Sequence, residues 1–149
     1  MILRILLIFL GILLIIQVFR PTKNIHPGPQ PNAIATKYNV PQNVQVILQK
    51  ACLDCHSNNT RYPWYNNIQP VAWFLNNHVV EGKQKLNFDE FTTYTIKKQK
   101  KKLDETAEMV KEDHMPLSSY LWIHKDAKLT ADEKNTLVAW ATDLENKVQ

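Results

Sequence analysis

The sequence predicts an all-α protein. Three observations carry that expectation: apolar residues recur at helical spacing along the chain, capped helix starts can be read directly, and no segment alternates in the manner of a strand. Three glycines against eight prolines in 149 residues also exclude a Gly-rich nucleotide loop and a turn-rich β-sandwich. With 44% apolar and 21% charged residues, the chain can build a packed core of single-domain size.

Residues 2–19 are apolar except for Arg4 and Gln17. A helix of that length reaches about 27 Å, near the hydrocarbon thickness of a bilayer. Residues 1–20 are therefore expected to form one N-terminal transmembrane helix. Its exit, Gln17-Val18-Phe19-Arg20-Pro21, lacks the small residues of a cleavage site, so the helix is expected to be retained as an anchor. Residues 21–41 hold Pro21, Pro27, Pro29, Pro31 and Pro41 and read as an extended, semi-stiff tether. The folded unit is expected over 42–149.

Within that unit, Val44, Ile47, Leu48, Ala51, Cys52 and Cys55 share one face of a helix starting after Pro41. Residues 58–70, rich in Asn and Pro, read as an ordered loop that holds Tyr62, Trp64 and Tyr65. A short helix over 71–81 is expected to stop at Gly82. Asn87 with Glu90 three residues on reads as the cap of a long helix to about Glu112, with Phe88, Phe91, Leu103, Ala107 and Val110 inward. Thr130 with Glu133 is a capping box opening a last helix that buries Leu137, Val138, Ala141 and Leu144, with Trp140 on or beside that stripe.

Cys52-Leu53-Asp54-Cys55-His56 is C-x-x-C-H, the haem c attachment sequence. Two thiols one helical turn apart can add to the two vinyl groups along one porphyrin edge. The following histidine then lies under the iron and supplies the proximal nitrogen. A thiol–disulfide motif would want a βαβ setting, and a zinc site would need further ligands at finger spacing. The motif thus predicts one covalently attached haem c with its iron, held by Cys52, Cys55 and His56. Because haem c is attached outside the cytoplasm, it also orients the anchor: a single-pass protein of the cytoplasmic membrane with its domain on the periplasmic, extracytoplasmic side.

Candidates for the sixth iron position are His78, Met109, His114, Met115 and His124. A distal methionine in a loop between helices is frequent in small c-type cytochromes, and Met115-Pro116 has that character, since Pro116 stops helical continuation. Met115 is the expected metal ligand and His78 the alternative. Tyr62, Trp64, Tyr65 and Trp73 are expected to wall the haem, with Trp64 against the ring.

With these residues in place, the chain resembles the bacterial haem-binding domain family of small membrane-anchored proteins. The likeness runs over 44–140, through CLDCHSNNT at 52–60, YPWY at 62–65, PVAWFL at 70–75, GKQKLNF at 82–88, Met115-Pro116, and the stretch 120–140. It implies a mono-haem c domain with a cytochrome c-like helical fold and long ordered loops, with Cys52, Cys55 and His56 as attachment and proximal ligand and Met115 as distal ligand. The expected function is electron transfer of single electrons, which needs no catalytic residue, so no enzyme activity is expected. A haem-based gas or redox sensor, or a peroxidase-like enzyme with an exchangeable distal ligand, is the alternative. Lys97, Lys98, Lys100, Lys101 and Lys102 form the one strong charge run, suited to an acidic redox protein partner. Neither a nucleic acid nor a small-molecule substrate is expected.

Overall fold

In the computed structural model, which describes Met1–Gln149 throughout, helices supply every regular element and the sole β pairing is an isolated bridge between Ile25 and Asn59. The all-α expectation holds. The helices are α1 (Ile2–Ile16), α2 (Ile34–Lys37), α3 (Gln42–Ala51), α4 (Leu53–His56), α5 (Val71–Lys85), α6 (Ile96–Lys111), α7 (Ser118–Leu121) and α8 (Ala131–Lys147). Single 3₁₀ turns at Trp64–Asn67, Phe88–Thr93 and Lys125–Ala127 punctuate the connections.

The N-terminal expectation is corrected. α1 has 15 residues, about 22 Å at the helical rise, against about 30 Å of hydrocarbon. No helix is long and apolar enough to cross a membrane, and a single-pass membrane placement falls with it. α1 ends at Ile16, and the Gln17 side chain that follows ties it to the segment ahead of α5. Its amide accepts from the Gln69 backbone N–H at 2.9 Å and donates to Leu13 O at 2.8 Å. Gln69, itself buried, returns a hydrogen bond from Nε2 to Phe19 O at 2.6 Å, and Trp73 Nε1 adds another to the same carbonyl at 3.0 Å.

Nor does the proline-rich segment stand free. Asn24, Ile34 and Val40 are buried, and Thr92 N donates to Asn32 O at 3.1 Å. Proline fixes φ but leaves side chains free to pack, and here the segment wraps the folded unit.

One apolar core gathers Val44, Ile47 and Leu48 from α3, Phe88 and Phe91 from the 3₁₀ turn, Leu103 and Val110 from α6, and Leu137, Trp140, Ala141 and Leu144 from α8. Phe91, Leu103 and Leu137 are wholly inaccessible. Leu103→Ala is expected to destabilise the fold by about 2–5 kcal/mol, read as a lower midpoint in urea unfolding; an unchanged midpoint would mean that the α6 face is not core.

Two element boundaries differ from expectation. Asn87 caps only the 3₁₀ turn, accepting from Asp89 N at 3.0 Å, and the long helix starts at Ile96 with Thr95 as its cap. α5 also continues past Gly82 to Lys85, so that glycine serves another purpose. The capping box of α8 forms as expected: Glu133 N donates to Thr130 Oγ1 at 3.2 Å and Thr130 N to Glu133 Oε2 at 2.8 Å. Lys50 Nζ meets Glu133 Oε1 at 2.5 Å, and that bond, with the Thr130 amide, lowers the Glu133 carboxyl pKa below the ordinary glutamate value. A depressed carboxyl stabilises the fold above the unfolded-state pKa, and this contribution is lost as pH falls through the lower folded value. Glu133→Gln is therefore expected to flatten that part of the acid-unfolding curve, which equilibrium unfolding across the acid range would measure.

Candidate functional site

The site begins where α3 breaks. Cys52 leaves helical geometry with φ −125° and ψ −46°, and α4 restarts as one turn. The backbone N–H groups of Cys55 and His56 both donate to Cys52 O, at 3.2 and 3.0 Å. Both thiols and the imidazole thus share a single turn. The cysteines are free. Burial, then the neighbouring Cys55, pushes the Cys52 thiol up to about 12; burial, then Asp54, pushes Cys55 to about 11. Both are protonated at neutral pH.

α5 lies directly on this turn. A Cβ at Gly82 would stand 2.7 Å from Cys55 O and 3.0 Å from Cys55 Cβ, so glycine alone permits the contact. Beyond α5, Leu86 turns extended and its carbonyl receives His56 Nδ1 at 2.9 Å. A carbonyl only accepts, so Nδ1 carries the proton and Nε2 keeps its lone pair. Burial outweighs the hydrogen bonding of the Leu86 and Gly82 carbonyls and lowers the His56 pKa. The ring is a neutral imidazole with one nitrogen free to ligate, the state a metal-bound histidine requires.

The loop after the motif is fixed by Asn24 and Asp54. Asn24 Nδ2 donates to Ser57 O and Thr60 Oγ1, both at 2.9 Å, while Lys83 Nζ donates to Asn24 Oδ1 at 2.6 Å. Buried Asp54 takes Arg61 Nε at 3.2 Å and the Tyr120 hydroxyl at 2.7 Å. Burial and the Asp54 carboxylate both raise the Tyr120 pKa, so the phenol remains a donor.

Cys52, Cys55 and His56 open onto a cavity of about 320 Å³, within the range of small-molecule and cofactor sites. Val71, Phe74, Leu75 and Val79 of α5 form an apolar side, while Met115, Pro116, Leu117 and Ile123 face it from the segment after α6. The cavity therefore brings together Cys52, Cys55, His56 and Met115, and also His78 and His124. Met109 and His114 are not among its walls.

Trp64, expected against the ring, is 76% exposed and lies outside the cavity lining. Within the 3₁₀ turn Trp64–Asn67 successive side chains diverge; Tyr65 takes the inward direction, and Trp64 packs edge-on to it with ring centroids 5.7 Å apart. Trp73 is likewise not a lining residue, whereas Tyr62 and Tyr65 are.

No group of three or more His, Cys, Asp or Glu side chains is arranged to hold a bare metal ion. Two thiols at one edge, a neutral imidazole with a free nitrogen, an apolar wall and a thioether instead fit a haem. The fold and site define a helical protein built around a C-x-x-C-H turn and an apolar cavity. The chain matches the model of the haem-binding domain family over residues 11–143, and it belongs to that family: it is a haem-binding protein. No curated protein and no solved structure matches it.

Sequence reasoning missed Asp54, Arg61 and Tyr120 as a unit, because 66 positions separate Asp54 from Tyr120 and no linear spacing joins them. Gly82, expected to stop the helix, instead lies inside α5, and no local signal in the sequence marks the Cys55 backbone that packs against it.

Proposed function

We propose that this protein is a mono-haem c-type cytochrome that passes single electrons. When bound, haem iron supplies a one-electron ferric–ferrous couple. The observation that carries the reading is the single helical turn with two thiols and a neutral imidazole whose Nδ1 is held by Leu86 O, all opening onto an apolar cavity that also holds Met115. Cys52 and Cys55 would hold the porphyrin edge through thioether bonds, which prevents loss by dissociation. His56 would ligate through Nε2, with Leu86 O fixing its ring plane. Met115 would take the opposite position.

The apolar walls exclude water and lower the local dielectric, and a thioether ligand favours ferrous iron; both raise the reduction potential. On α6, Lys102 and Lys101 share Glu105 at 2.5 and 3.6 Å, and Lys98 lies 3.9 Å from the centre of the Tyr94 ring. Lys97 enters no ion pair. This net positive face suits the approach of an acidic redox protein.

The test is the absorption spectrum of the haem-loaded protein, oxidised and reduced, for wild type, Met115→Ala and His78→Ala. Wild type and His78→Ala are expected to show a methionine–iron charge-transfer band when oxidised, and Met115→Ala to lose it and shift to a lower potential. Loss of the band in His78→Ala alone, or no band and a five-coordinate spectrum in wild type, would overturn the assignment; the second result would favour a sensor or peroxidase with an exchangeable ligand.

A further inference from the structure

Residues 116–124 run along the cavity between two buried points, Val110 at the end of α6 and Ala127 ahead of α8. Pro116, Leu117, Ser119, Tyr120, Ile123 and His124 all line it. The backbone hydrogen bonds of this stretch are local, such as Tyr120 N to Leu117 O at 3.0 Å and His124 N to Tyr120 O at 3.1 Å. Only two side-chain hydrogen bonds tie it to the rest of the molecule. Tyr120 Oη donates to Asp54 Oδ2 at 2.7 Å, and Tyr65 Oη meets His124 Nε2 at 3.0 Å.

The direction of the second bond follows from the first ring nitrogen. His124 Nδ1 faces Tyr120 O at 3.2 Å, so Nδ1 carries the proton, Nε2 accepts, and Tyr65 donates. The Tyr120 and His124 rings stack with centroids 4.0 Å apart and planes 12° from parallel, which makes the two latching side chains one unit. Their hydrogen-bond partners lie on other segments of the cavity lining. Asp54 lies inside the attachment motif and is braced by Arg61; Tyr65 lies on the loop that follows.

We propose that residues 116–124 are a strap over the cavity, latched by Tyr120 and His124, and that the latch governs how fast the Met115 thioether leaves the iron so that a small neutral ligand such as carbon monoxide can take its place. This rests on the haem reading above. Tyr120 and His124 act as positioning residues: they touch Asp54 and Tyr65, and through the strap they hold Met115 in place. A segment tied by so few tertiary bonds opens locally at a lower cost than the core helices. A hydrogen bond to a carboxylate is stronger than one between neutral groups, so the Tyr120 bond is the main latch.

The experiment uses the full-length haem-loaded chain as wild type, Tyr120→Phe and Tyr65→Phe. Two quantities are read: amide hydrogen exchange, and the rate of carbon monoxide binding to the reduced protein. Tyr120→Phe is expected to speed exchange at residues 117–124 by about tenfold or more, the worth of one charge-assisted hydrogen bond. Carbon monoxide binding is expected to accelerate in parallel, and Tyr65→Phe to do the same more weakly, with α6 and α8 unchanged. Wild-type exchange and binding in both variants would overturn the strap. So would faster exchange spread evenly over α3, α6 and α8, which would mark Tyr120 as a general stabilising residue. Absence of haem from the wild type would instead sink the haem reading, and the exchange measurement would still decide the latch.

Discussion

Gly82→Ala is expected to abolish covalent haem loading and to destabilise the fold. The added methyl would meet Cys55 O at 2.7 Å and Cys55 Cβ at 3.0 Å. Neither atom belongs to the far end of a flexible side chain, so α5 or the C-x-x-C-H turn must move as a body. Overpacking of this kind costs about 1–3 kcal/mol, and a contact against backbone belongs at the upper end. The displacement also separates Leu86 O from His56 Nδ1, because Leu86 directly follows α5. Denaturant unfolding reads the first effect and haem content per polypeptide reads the second. A Gly82→Ala protein with the stability and loading of wild type would mean that the α5 contact does not shape the site.

His56→Ala carries the other large effect. It removes the one nitrogen whose lone pair is left free by the Leu86 hydrogen bond, while leaving both thiols in place. The expected product, where haem is still attached, has lost its six-coordinate spectrum, and added imidazole restores it by filling the space the side chain leaves. The burial that keeps His56 neutral sets the sign of the pH dependence. A pKa lowered in the fold leaves Nε2 available over the neutral range, and competition from protons appears only on the acid side. A variant that keeps the wild-type spectrum would remove His56 from the ligand set.

How much of this could be read from the chain alone depends on the range of the interaction. Helix content was legible because the apolar spacing of α3, α6 and α8 is periodic, and the Thr130–Glu133 capping box because both partners sit within one turn. The C-x-x-C-H turn was legible for the same reason: Cys52, Cys55 and His56 are neighbours in sequence. Failures came where a distant residue decided a local outcome. The helix in the apolar N-terminal run ends at Ile16, with Gln17 bonded to Gln69, and residues 21–41 are drawn onto the domain through Asn24, Ile34 and Val40. Trp64 and Tyr65 are adjacent aromatic residues, and only the 3₁₀ turn decides which of them faces the cavity. The Asp54–Tyr120 bond joins segments that no motif connects.

In the proposed function, Cys52 and Cys55 hold haem covalently. The most direct measurement is the intact mass of the full-length chain, produced with haem c maturation and then unfolded in acid and organic solvent. A polypeptide carrying the added mass of one haem, which drops to none in Cys52→Ala/Cys55→Ala, is the result predicted. A bare polypeptide mass with haem released into the solvent, or no haem at all, would contradict it.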